Sequence, residues 1–137
     1  MKKPYTPTPE QKLASDARRE QFNALVKTFA DFTDEEREKL ATTLGGVVNT
    51  DGHKFSTRNT WMVKAQKPHA SIVGTFAQWV KMGRMVNKGE KSAMIAVPLG
   101  QRDPATGAIT KVTGFASASV FDISQTKELE KKMEVAA

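Results

Sequence analysis

At 137 residues, with 21 Lys plus Arg against 15 Asp plus Glu and a net charge of +6, the chain has the size of one domain with a modest core. It contains no cysteine and only two histidines, His53 and His69. That excludes a disulfide framework, thiolate zinc sites, iron–sulfur clusters, cysteine nucleophiles and a multi-histidine metal site.

Residues 1–8 carry Pro4 and Pro7, with Pro9 directly after, and read as a disordered arm. Met1-Lys2-Lys3 could open a signal peptide, but proline-spaced polar residues follow where an apolar stretch should be. No apolar run approaches the roughly 20 residues that span a bilayer. A cytoplasmic protein that avoids membranes is expected.

Thr8, Pro9 and Gln11 form a capping box that starts a helix, and Phe22, Leu25, Val26 and Phe29 mark its buried face. A second helix starts at Thr33, with Glu36 completing a box and Asp34, Glu35 and Glu36 favourable to the helix dipole. Leu40 and Leu44 give it an apolar side, and Gly45-Gly46 ends it. Asn49 to Gly52 is a turn cluster. Ser56 caps a short helix from Thr57 to Gln66, stopped by Pro68.

Ile72 to Met82 reads as a further amphipathic helix with Ile72, Phe76, Trp79 and Val80 on one side and Gly83 at its end. Asn87 to Lys91 is a basic turn in which Gly89 permits a left-handed backbone. Ala93 to Val97 is a buried strand bounded by Pro98, and Gln101 to Lys111 a polar connection. Ile109 to Phe121 is the antiparallel partner, with Ala116, Ala118 and Val120 on one face and Ser117, Ser119 and Phe121 on the other. Small residues on both faces allow close approach by a helix or a ligand. Gln125 to Met133 reads as a charged helix or frayed end. The expected class is α+β: N-terminal helices packed with a small antiparallel sheet that contains a hairpin.

Charge is distributed unevenly along these elements. Residues 1–54 hold nine basic and nine acidic side chains, whereas residues 55–121 hold nine basic and two acidic, and residues 122–137 three and four. The basic middle also carries both tryptophans, interleaved with cations: Phe55, Arg58, Trp61 and Lys64, then Phe76, Trp79 and Lys81, then Arg84, Lys88 and Lys91. Cations that track phosphates and rings that stack on bases are the combination that holds single strands. Trp79 shares the apolar face of Ile72 and is expected in the core, while Trp61 fits either role. No metalloprotease, hydrolase, P-loop or dinucleotide motif occurs, so neither catalysis nor a cofactor or metal is expected.

These motifs resemble a known family. Phe55-Ser56-Thr57-Arg58-Asn59-Thr60-Trp61, Gln66-Lys67-Pro68, Gly74 to Trp79, Gly83 to Lys91, the apolar strand before Pro98, and Val120 to Thr126 occur in the order seen in the N-terminal domain of ArdC-type antirestriction proteins. Phe76 one place later than usual and Lys127 in place of a glycine depart from that pattern.

The resemblance implies a single-stranded-DNA-binding domain of a plasmid, phage or other mobile element, working in a bacterial cytoplasm, over residues 9–126, with 127–137 as a charged tail. In such proteins a metallopeptidase-like domain commonly follows; its zinc motif is absent from these 137 residues, so the chain is expected to be a small version or a piece of something longer. Arg58, Lys64, Lys67, Lys81, Arg84, Lys88 and Lys91 are then the expected phosphate contacts, Phe55 and Trp61 the stacking platforms, and Ser56, Asn59 and Gln125 polar contacts. Arg84 and Lys88 are expected to be removable without unfolding. Duplex DNA is a possible further ligand, and the alternative is a module that binds an acidic host defence protein.

Overall fold

The computed structural model describes residues 6–129. Contacts divide the chain after Phe32 into two units. The first is helix α1, Pro9–Asp31, started by the Thr8–Gln11 capping box and burying Phe22 and Phe29. Of the expected arm, residues 1–5 lie outside the described residues.

The second unit has an α+β architecture. Helix α2 spans Asp34–Thr43, α3 Thr57–Gln66, β1 Val73–Gly74 and α4 Phe76–Lys81. Strands β2 (Arg84–Val86), β3 (Ala93–Arg102) and β4 (Ile109–Asp122) follow, then a 3-10 turn, Ile123–Gln125, and β5, Thr126–Glu128. Strand order is β1-β4-β3 in one antiparallel sheet, and β2 pairs with β5 in a second. Val47, Val63, Ala70, Val73, Ala93 and Val120 form the core, with Phe55 and Ile95 packed against it. Among the described residues, no helix is long and apolar enough to cross a membrane.

Three elements differ from the sequence expectation. The amphipathic helix over 72–82 shrinks to α4, because the Thr75–Gln78 capping box starts it at Phe76 and releases Val73-Gly74 to pair with β4. Phe76 and Val80 are exposed, and Trp79 alone turns inward, donating its indole N–H to Phe121 O at 2.8 Å. Strand β3 also runs through Pro98 to Arg102, so the connection shortens to Asp103–Ala108. The hydrogen-bonding groups of Met94 and Ala96 point away from β4, and Pro98 is in the same phase; its missing N–H therefore falls on the edge that has no partner strand. Close to this point the ladder shifts register, and Gly100 is required there because a Cβ would overlap Lys111 O. Thirdly, Thr126–Glu128 is a strand rather than the start of a charged helix, since its backbone pairs with β2; Met133 lies outside the described residues.

Helix α3 closes the open edge of β3. The Asn59 amide donates to Ala96 O at 3.1 Å and accepts from Ala96 N–H at 2.9 Å. One heptad on, Gln66 donates to Met94 O at 2.8 Å and accepts from Met94 N–H at 2.9 Å. Met94 and Ala96 are buried, so without these amides their backbone groups would be orphaned. The order of the contacts makes α3 run opposite to β3.

At the far end of β4, Asp122 is 4% exposed. Burial alone would raise its carboxyl pKa. Hydrogen bonds from the Ser124 hydroxyl and from the Ser71, Ser124 and Ile72 backbone outweigh that and hold it below the ordinary value of 3.8.

Two outcomes are expected. Asn59→Leu and Gln66→Leu each lower unfolding free energy in urea by roughly 1–3 kcal/mol, the cost of orphaned buried groups, while Ala65→Leu at an exposed position of the same helix changes little. For Asp122, a depressed folded-state pKa means stability present above the unfolded value and lost as pH falls through the folded one. The melting-temperature gap between wild type and Asp122→Asn therefore holds near neutral pH and narrows below about pH 4.

Candidate nucleic-acid interface

Helix α3 directs its side chains three ways. Asn59 and Gln66 go to the strand edge, and Thr60, Met62 and Val63 are buried. Arg58, on a different side from Asn59, lies over the Phe115 ring of β4, 4.4 Å from its centre. Helical spacing puts Trp61 one turn beyond Arg58, and it is only partly buried. Since Phe115 alternates in phase with Ser117 and Ser119, which are exposed, the guanidinium sits at the border of an exposed small-residue stripe of β4, whose partners across the ladder, Ala96 and Met94, are buried. Ala116, Ala118 and Val120 turn to the opposite, core-facing side, and Val120 is buried.

Burial, and secondarily the charge of Arg37, lower the Arg58 pKa from its very high ordinary value. Arg37 is the residue that sequence reading missed, because it stands in the acid-rich α2 and pairs with Asp34 at 3.7 Å. The signal was present: Arg37, Leu40 and Leu44 recur at i, i+3 and i+7, the partly buried side of a helix that is otherwise exposed. Phe115 was missed in the same way, being two residues before the serine alternation singled out in the sequence.

Of the expected phosphate contacts, Lys81, Lys88 and Lys91 are exposed, while Lys64 and Lys67 are partly so. Lys64 extends toward Gly45, where an added Cβ would lie 3.2 Å from its Nζ. Lys88 and Lys91 flank Gly89, whose φ of +86° is the left-handed conformation the turn was expected to need. Ser56 is exposed, with its hydroxyl accepting from Asn59 N–H as the cap of α3.

Four expected contacts are committed elsewhere. Asn59 is spent on the β3 edge. Arg84 donates from Nε to Thr126 Oγ1 at 2.7 Å and from a terminal nitrogen to Thr126 O at 3.3 Å, bracing β2 against β5. Gln125 is 5% exposed; its carbonyl oxygen accepts from Asp122 N–H and its nitrogen donates to Lys91 O and Glu90 Oε2. It therefore positions the basic turn from behind instead of meeting solvent. Phe55 is half-buried against the core and shows its remaining surface to a cleft beside α2. Buried polar groups must find partners, and a sequence read without its fold cannot say which polar side chains that need consumes.

Residues 34–135 match the family described as the N-terminal domain of anti-restriction factor ArdC, a span that begins with α2. An uncharacterized Bacillus anthracis protein, pXO2-81, is 28% identical over 155 aligned positions that include 91% of this chain and 25% of the relative. Crystal structures of antirestriction ArdC from plasmid R388, metal-free and Mn(II)-bound, give TM-scores of 0.46 and 0.48 at 20% and 19% identity. They are matched over 68% and 69% of this chain and 36% and 38% of theirs. The chain thus spans about a quarter of the length of the curated relative and little over a third of the ArdC structures.

Arg84 and Lys88 should now separate. Arg84→Ala is expected to lower stability by roughly 1.5–3 kcal/mol, the worth of hydrogen bonds from a charged group, and Lys88→Ala to stay within about 0.5 kcal/mol of wild type; paired urea melts measure both. With the match over residues 34–135 taking in every element from α2 to β5, the chain belongs to the ArdC N-terminal domain family.

Proposed function

We propose that this chain binds single-stranded DNA without catalysis, as a domain serving antirestriction on mobile elements. The observation that carries the reading is Arg58 held over Phe115 beside the exposed Ser117 and Ser119. A cation fixed on a ring at the border of an exposed small-residue stripe offers phosphate contact and base stacking together. Stacking is open to unpaired bases and tolerant of their identity. The exposed Lys81, Lys88 and Lys91 supply further charge for a polyanion, in a segment with nine basic and two acidic side chains. Membership of the ArdC N-terminal domain family supports the same reading. The one buried carboxylate among the described residues, Asp122, is engaged in capping bonds, which favours a binding role over acid–base chemistry.

A second reading, an acidic protein partner, draws on a different observation. Val97, Leu99 and Val112 are 41%, 49% and 52% exposed on the β3–β4 arm, which also carries Arg102 and Lys111. Apolar surface next to cations suits a protein interface.

Fluorescence anisotropy with a labelled oligothymidylate separates the two. Single-strand binding gives log affinity falling linearly with log salt, with a slope of about −0.7 per phosphate neutralised. Arg58→Ala weakens it about tenfold, whereas Leu99→Ser leaves it unchanged. Affinity indifferent to salt and to Arg58 would overturn the reading.

A further inference from the structure

We infer that the cleft between α2 and the start of α3 seats one nucleobase of a bound single strand, with Lys54 and Lys64 holding the attached phosphate. The inference rests on the single-strand reading above and assigns it a subsite away from the Arg58–Phe115 border.

The cleft has a volume of about 220 Å3, and Leu40, Leu44, Val47 and Phe55 line it together with Thr57 and Thr60. Sites for drug-sized ligands run to roughly 300–1,000 Å3. This one therefore admits a single ring system, with no room for two stacked nucleotides. Phe55 is held on one side by the core cluster while its other side borders the cleft, so its ring is fixed before a ligand arrives. An immobilised ring among aliphatic walls matches the flat faces of a base. The Thr57 hydroxyl can meet its polar edge, and so can the Thr60 hydroxyl as an acceptor, its own proton being given to Phe55 O.

Charge narrows the occupant further. Among the described residues, no carboxylate lines the cleft, and Lys54 is the charged side chain that does. Lys64 places its ammonium beside Gly45, another lining residue. The first turn of α3 has no acidic residue, so the positive end of its dipole is not offset where Thr57 meets the cleft. A purely apolar guest would leave this potential unanswered, and a bare phosphate would leave the Phe55 and leucine walls unused. A nucleotide uses both.

The test uses the full chain and thymidine 5′-monophosphate as probe, followed by backbone amide NMR at constant ionic strength, with thymidine and inorganic phosphate in parallel. Saturable shifts at Gly45, Gly46, Thr57 and Thr60 are expected with the nucleotide, and weaker ones with either half alone. Ala41 lines the cleft from an exposed position of α2. Ala41→Phe fills the space and should reduce nucleotide affinity at least tenfold; Lys54→Gln, at an exposed residue that leaves the walls intact, should reduce it about threefold. Equal shifts with inorganic phosphate, shifts elsewhere, or affinity unchanged in both variants would overturn the inference. Oligothymidylate anisotropy on the same samples keeps the two readings distinguishable. Binding that persists at wild-type strength in Ala41→Phe removes the cleft alone, whereas wild type that takes up the nucleotide and no oligonucleotide removes the single-strand reading.

Discussion

Two side-chain amides one heptad apart hold α3 against β3, and the arrangement of the second unit follows from them. An outer strand normally presents a row of unpaired N–H and C=O groups that invites another chain. Here Asn59 and Gln66 answer that row at Ala96 and Met94, doing for the strand what a neighbouring strand would do. Each amide has one donor and one acceptor aimed at the same residue, so the helix is fixed in both height and rotation. The row then meets Pro98, which has no N–H to offer. Edge protection passes from helix to proline without a gap.

The remaining directions of α3 follow from that constraint. With residues 59 and 66 on the edge, Val63 points into a core made largely of valine and alanine. Arg58 reaches across to Phe115, and Thr57 and Thr60 face the cleft. A core of small side chains gives limited burial per residue. Satisfied polar groups therefore matter here in proportion: Asp122, Gln125 and Thr126 are all buried, and all have partners. The same economy explains why several polar residues of the family-like motifs are structural. Gln125 holds the Gly89 turn in place, and Arg84 ties β2 to β5, so the exposed lysines near them are presented by one buried and one half-buried side chain.

The distinction between presenting and presented residues also separates the two candidate surfaces. Arg58 and Phe115 come from elements 57 residues apart in sequence and are joined only by the docking of α3 on the sheet. Phe55, Lys54 and Thr57 are close in sequence, and the cleft arises where the chain between α2 and α3 folds over the core. One surface is an exposed stripe of β4 and the other a recess, yet α3 contributes to both.

By itself the sequence determined the local structure. Capping boxes at Thr8 and Thr33, the stop after Gln66, the left-handed turn at Gly89 and the alternation along β4 depend on neighbours a few residues away, and all were read from spacing. The basic character of residues 55–121 and the ordered motifs of the family were equally legible, because they are properties of the chain as written. Tertiary structure decided which of the polar and aromatic residues remain available. Asn59 and Ser56 look alike as polar contacts in sequence, but only Asn59 meets a buried strand edge that must be satisfied. Trp79 and Phe76 share a segment, yet the indole N–H finds Phe121 O across the fold while Phe76 stays outside. Arg37 is one charge among many on an acidic helix until α2 docks beside α3. Hydrogen-bond satisfaction and close packing are settled between segments distant in sequence, and that is why spacing alone could not assign these roles.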